Sequence, residues 1–118
     1  MADQTGSTAA QEVGAEDAKL VTLARASRAR TGAAAGAAVR DQDGRTYAAA
    51  TVALPSLSVD ALGLAVAMAV SSGATSLEAA AVVADALPDG APVRDLAGGD
   101  VPVLRADASG TVVETVLT

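Results

Sequence analysis

The chain has no cysteine, histidine, tryptophan or phenylalanine, and its one aromatic side chain is Tyr47. Cysteine and histidine most often ligate transition metals, move protons near neutral pH or act as soft nucleophiles. Their absence excludes cysteine hydrolases, Ser-His-Asp triads, most transition-metal sites and any disulfide. Long apolar runs are missing too. The longest, Ala61 to Val70, is about half of the roughly 20 residues a bilayer crossing needs, so it is expected as a buried helix. The opening MADQTGSTAAQEVG lacks the basic and apolar regions of a secretory signal, and a cytoplasmic location is the expectation.

What is present describes one globular domain. In 118 residues, 51% are apolar and 19% charged, outside the range of disordered chains. Alanine and valine dominate, so helices and strands must approach closely to fill the interior. So little aromatic area predicts a thin core, and an oligomer whose interface extends it. The net charge of −6 is uneven. Residues 1–18 carry four acids and no base, residues 19–45 six of the eight basic residues, and residues 46–118 eight acids against Arg94 and Arg105. The basic stretch reads as a solvated helix face, with an acidic partner as the alternative.

Residues 1–14 have no periodicity and are expected to be a disordered tail, with a single domain over 15–118. Leu20, Leu23, Ala24 and Ser27 then recur at helical spacing, predicting a helix over Glu16–Thr31 with Gly32 as its stop. Asp41-Gln42-Asp43-Gly44 reads as a hairpin turn between strands at about 35–40 and 45–54, the second ended by Pro55. Ser58 is the expected N-cap of a helix over Val59–Ser71, apolar nearly all round. Ala79–Asp85 reads as a buried central strand and residues 86–100 as weakly structured. Val101–Ala106 and Thr111–Leu117 read as strands joined by Asp107-Ala108-Ser109-Gly110. The order is α-β-β-α-β-loop-β-β, which predicts an α/β fold: a three-layer α/β/α sandwich around a mixed five-stranded sheet.

That order and the local sequence resemble the cytidine deaminase family. The resemblance is carried by the helix LVTLARASRAR, the strand Gly36-Ala37-Ala38-Val39, the turn Asp43-Gly44-Arg45 with Tyr47, the segment AVAMAVSSGATSLEAAAVVAD, and the closing VPVLRADASG and VVET. It covers about residues 18–85 continuously and 101–117 more loosely. The resemblance implies zinc-dependent attack of water on C4 of cytosine, with ligands from C-x-E or H-x-E at the second helix and from a later P-C-x-x-C, and a Glu to move protons. Counted from Tyr47, the first ligand falls on Leu62, the catalytic Glu on Leu64 and the Arg that commonly follows on Ala65. The family's substrate-binding Asn and Glu fall on Thr51 and Ala53. The P-C-x-x-C loop reads as having no counterpart, its place taken by Asp89 to Asp100. Leucine cannot coordinate zinc, and without the metal water stays far too weak an acid to give a nucleophile at neutral pH. The family's zinc chemistry is therefore closed to this composition in any register.

Asp60 and Glu78 are the isolated acids nearest the second helix; a helix end and a surface turn explain them better than a two-carboxylate hydrolase. GAAAGA at 32–37 follows a helix, where a phosphate loop should follow a strand, and reads as strand-entry packing. Arg25, Arg28 and Arg30 lack aromatic neighbours for base stacking, so nucleic acid is not the expected partner. Gly63 inside the second helix reads as close packing there, as by a neighbouring helix, with drift at a lost active site as the alternative. The expectation is a degenerate family member with no catalytic, cofactor-binding or metal residues, not an enzyme, with a structural or interaction role. A small-molecule binder that reuses the vacated pocket and a metal-independent enzyme are the alternatives. A dimer or tetramer is expected, with Gly63, Ala67 and Val70 on the contact face; the resemblance points the same way, since family members commonly assemble through helices around the active site. Another protein is a second candidate partner; a membrane is not.

Overall fold

The computed structural model describes residues 13–118. The expected disordered segment over residues 1–14 lies outside the described residues except for its last two. Helix α1 (Ala15–Thr31) begins one residue before its predicted start. Glu16 and Asp17 in its first turn and Arg28 and Arg30 in its last oppose the helix dipole, and Gly32, at φ 65°, ends it by returning its N–H to the carbonyl of Arg28. Leu20, Val21, Ala24 and Ser27 are buried, and Leu23 is half-buried beside them.

Strands β1 (Gly36–Asp41) and β2 (Thr46–Ala50) form the predicted hairpin. The Asp41 carboxylate builds its turn: one oxygen accepts the N–H groups of Asp43 and Arg45 at 2.9 and 3.0 Å, and the other accepts the Tyr47 hydroxyl at 3.0 Å. The single strand expected over 45–54 is instead broken at Thr51. Its N–H and hydroxyl both turn to the carbonyl of Ala35, just before β1 begins, and no further β1 residue remains to extend the ladder. The chain swings into a separate hairpin, β3 (Val52–Leu54) and β4 (Leu57–Val59), with Pro55 in the turn between them. Ser58 therefore pairs with Ala53 and caps nothing; Asp60 is the N-cap of α2 (Ala61–Ser71).

Strand β5 (Leu77–Val83) lies two residues earlier than predicted and runs through the sheet centre. The stretch 86–100, expected to be weakly structured, contains helix α3 (Ala91–Ala97), bounded by Gly90 and Gly98, with Pro92 in its first turn. It carries the crossover from β5 to the parallel strand β6 (Pro102–Ala106), and β7 (Val112–Leu117) closes the sheet antiparallel to β6. The order β2-β1-β5-β6-β7 makes a mixed five-stranded sheet. One face packs Ala38, Ala79, Ala81, Val83 and Leu104 against α1; the other packs Ala37, Val39, Ala80, Val82 and Val103 against α2 and α3. This is the predicted three-layer α/β/α arrangement. Among the described residues no helix is long and apolar enough to cross a membrane.

Candidate functional site

The start of α2 is set by Asp60, whose carboxylate accepts the N–H of Gly63 at 3.3 Å. The glycine belongs to this cap. A β-carbon on Gly63 would meet the Asp60 carboxylate oxygen at 2.6 Å, so the close approach comes from the helix's own cap and not from a neighbouring helix. Leu62, in the first turn, is 1% exposed and sits in the core between α2 and the sheet. Leu64 is only half-buried and packs against the rim of the same core. Ala65 is buried behind them.

Helix α3 approaches this turn from the other side. Val93 is fully buried in the same cluster as Leu62, and Leu96 and Ala97 pack against it. Pro92, Val93 and Leu96 repeat the P-C-x-x-C spacing, so the motif does have a positional counterpart, with hydrocarbon at both thiol positions. The signal was available in Ala91-Pro92-Val93-Arg94-Asp95-Leu96 between two glycines. A seven-residue helix carries too little periodicity to register in the sequence.

The resemblance implies zinc here, and the donor chemistry does not fit it. Leu62, Val93 and Leu96 have no lone pair to offer a metal, Leu64 has no proton to move, and the sequence has no Cys or His elsewhere to substitute. Thr51 is occupied with the Ala35 carbonyl, and Ala53 is exposed on the β3–β4 hairpin.

The remaining candidates are dispersed. Asp60 caps α2 on one side of the sheet. Glu78 shares the Arg40 guanidinium with Asp17 of α1, at 2.8 and 3.0 Å, on the other side, so Asp60 and Glu78 do not come together. Gly36 does serve strand-entry packing: a β-carbon there would lie 2.0 Å from the carbonyl oxygen of Ala24 in α1. Arg25 donates to the Ala108 carbonyl at 3.2 Å and Arg28 to that of Ala33 at 3.4 Å, which ties both to loops beside α1. Gly63, Ala67 and Val70, expected to share a face, do so. With Val66, Pro92, Asp95 and Leu96 they line a shallow groove of about 350 Å³ between α2 and α3. The apolar run of α2 is thus not buried all round; Ala67, Met68 and Val70 face outward.

Comparison with known proteins agrees with this architecture. A family described as cytidine deaminase-like matches residues 13–110, and the chain belongs to it. Among solved structures, it is similar to a cytidine deaminase from Burkholderia pseudomallei, with a TM-score of 0.70 and 24% identity over 85% of this chain and 89% of that one. A cytidine deaminase from Mycobacterium leprae gives a TM-score of 0.65 and 20% identity over 87% and 94%. No curated protein matches. These findings correct the expectation that the chain is not an enzyme: the solved structures it is similar to are cytidine deaminases, which are enzymes, and nothing shows this chain to be inactive. The apolar residues at the ligand positions remove one mechanism and do not show a chain without activity.

Proposed function

We propose that this cytidine deaminase-like domain serves as a structural or protein-interaction module, with the surface of α2 as its contact and a second copy of the chain as its first partner. The observation that carries the reading is the outer face of α2. The helix has no charged residue, and Ala67, Met68 and Val70 are exposed along the groove completed by Pro92 and Leu96. Small side chains around Gly63 and Ala67 let a second helix approach closely, and an α2 surface without charge suits a like copy despite the net charge of −6, with Asp95 of α3 the charged residue on the groove. The ligand positions support the same reading, since their side chains fill the core where the family's metal chemistry would be placed. A cytoplasmic location accords with a fold that uses no disulfide.

The test is the mass in solution. Light scattering at micromolar concentration should give at least twice the chain mass, and Ala67→Glu, at an exposed position, should return the monomer with the fold intact. A wild-type monomer at every concentration overturns the proposal.

A further inference from the structure

Arg25 and Arg28 stand three residues apart on one face of α1, and with Ala29, Gly32, Ala33 and Ala108 they line a cleft of about 380 Å³. The cleft lies on the side of the sheet opposite α2 and its groove. Each guanidinium is held by its Nε. Arg25 donates from Nε to the Ala108 carbonyl, in the turn between β6 and β7, at 3.2 Å, and Arg28 to the Ala33 carbonyl at 3.4 Å. The Arg25 stem also lies across Gly110, where a β-carbon would stand 3.4 Å from its Cδ. Among the described residues nothing accepts from the Nη groups of either side chain.

Two like charges are thus set side by side without a counter-charge. The ion pairs among the described residues engage Lys19, Arg40 and Arg105, and leave Arg25 and Arg28 out, although the chain has 14 acids against 8 bases. The one acid of the adjoining turn, Asp107, is turned into that turn, where one carboxylate oxygen accepts the N–H and hydroxyl of Ser109 and the N–H of Thr111. The helix dipole accounts for Arg28, in the last turn of α1, but its reach ends before Arg25.

We propose that this cleft is a binding site for a small phosphate monoester. With Nε engaged, each guanidinium still offers both Nη groups, and two such forks match a tetrahedral dianion with three terminal oxygens, whereas a single fork already satisfies a carboxylate. The tethers fix both forks in advance, so binding orders little that is not already ordered. The rest of the ligand is small. Beyond the arginines the walls are alanine and glycine, and the one aromatic side chain, Tyr47, is bonded to Asp41 in the first hairpin, which leaves no ring for a base to stack on.

Titration of the full chain with methyl phosphate and with inorganic phosphate, read by calorimetry and by NMR shifts, tests this. Methyl phosphate should bind saturably at one equivalent, at least as tightly as inorganic phosphate, and shift the Gly32, Ala33 and Ala108 amides and the Nε–H signals of Arg25 and Arg28. Arg25→Gln and Arg28→Gln should each weaken binding roughly tenfold or more, as expected for loss of a charge-assisted hydrogen bond, with melting temperatures near wild type. Arg25→Lys keeps the charge but loses the fork and its tether, and should weaken binding comparably. Arg94→Gln on α3 should leave it unchanged. So should Ala67→Glu on α2, which separates this site from the self-association face. The absence of saturable binding overturns the proposal. Arg25→Lys binding as tightly as wild type also overturns it, since diffuse charge would then suffice. Preference for inorganic phosphate with methyl phosphate excluded overturns it in favour of the free ion. Dimethyl phosphate or a single-stranded oligonucleotide bound as tightly as methyl phosphate overturns it in favour of a phosphodiester.

Discussion

The carbonyl oxygen of Ala24 in α1 lies 2.0 Å from where a β-carbon on Gly36 would stand. The amide nitrogen of Arg28 lies 2.9 Å from the same point, so the crowding comes from backbone that cannot rotate away. α1 rests directly on the first residue of β1, and the separation of helix and sheet is fixed by the missing methyl group. Gly36→Ala should therefore destabilise the fold by at least the roughly 1–3 kcal/mol typical of overpacking, toward the upper end because backbone must move. Urea unfolding against wild type measures it. A stability unchanged within error would mean that α1 floats above the sheet and is not seated on it.

Asp60 and Gly63 should be thermodynamically coupled. Asp60→Ala removes the cap of α2 and should cost about 0.5–2 kcal/mol. Gly63→Ala in the wild-type background has opposed effects: it gains up to about 1 kcal/mol of helix propensity but displaces the capping carboxylate 2.6 Å away. In the Asp60→Ala background only the gain remains, so Gly63→Ala should be clearly stabilising there. A double-mutant cycle reads the difference, and additive effects would show that the two residues do not interact.

Much of this architecture is legible in the residues. The stripe Leu20, Ala24 and Ser27 announces α1, and Asp41 to Gly44 announces the first hairpin. The second turn repeats the first: Asp107 accepts the N–H groups of Ser109 and Thr111 at 2.9 and 3.1 Å, and Gly110 takes a positive φ of 90° as Gly44 takes 83°. Such local chemistry can be read without the fold. What could not be read is set by partners distant in sequence. Whether Thr51 continues β2 depends on where β1 begins, so Val52–Val59 looked like a strand end followed by a helix start and proved to be a hairpin. Helix α3 is too short for periodicity to show, and its place is fixed by the burial of Val93 against α2. At the candidate site, Leu62 and Leu64 were located by the resemblance, but only the structure separates their roles: Leu62 is core and Leu64 is rim.

The Asp41–Tyr47 pair should give the fold a characteristic dependence on pH. Burial pushes the Asp41 carboxyl up, but hydrogen bonds from the Asp43 and Arg45 N–H groups and from the Tyr47 hydroxyl outweigh it, and the net displacement is downward. A depressed carboxyl contributes stability that is fully present above its unfolded pKa of about 4 and is lost as pH falls through the lower folded value. Tyr47 moves the other way, raised by burial and then by the adjacent Asp41 carboxylate. Its contribution is present below the unfolded value of about 10 and is lost as pH rises through the higher folded one. Thermal melts of wild type and Asp41→Asn across the acid range should converge as pH drops, and Tyr47→Phe should flatten the alkaline limb. Parallel curves at all pH values would place the turn's stability elsewhere.

The apolar contact between α2 and α3 makes the final prediction, and it concerns metal. In this chain Leu62 and Val93 are buried in one cluster, with Leu96 packed against it, at the positions where the family's pattern calls for zinc ligands. If hydrocarbon packing holds the two helices together, the fold should be indifferent to metal. Elemental analysis of the purified protein should find no stoichiometric zinc, and a strong chelator should leave the melting temperature unchanged. Leu62→Ala should cost roughly 2–5 kcal/mol, as expected for a fully buried leucine, and Leu62→Asp more, because it buries an unpaired charge. Leu64→Ala should cost less than Leu62→Ala, since part of that side chain already meets solvent. About one zinc per chain together with chelator-induced unfolding, or a Leu62→Ala variant as stable as wild type, would show that something other than this apolar contact joins α2 to α3.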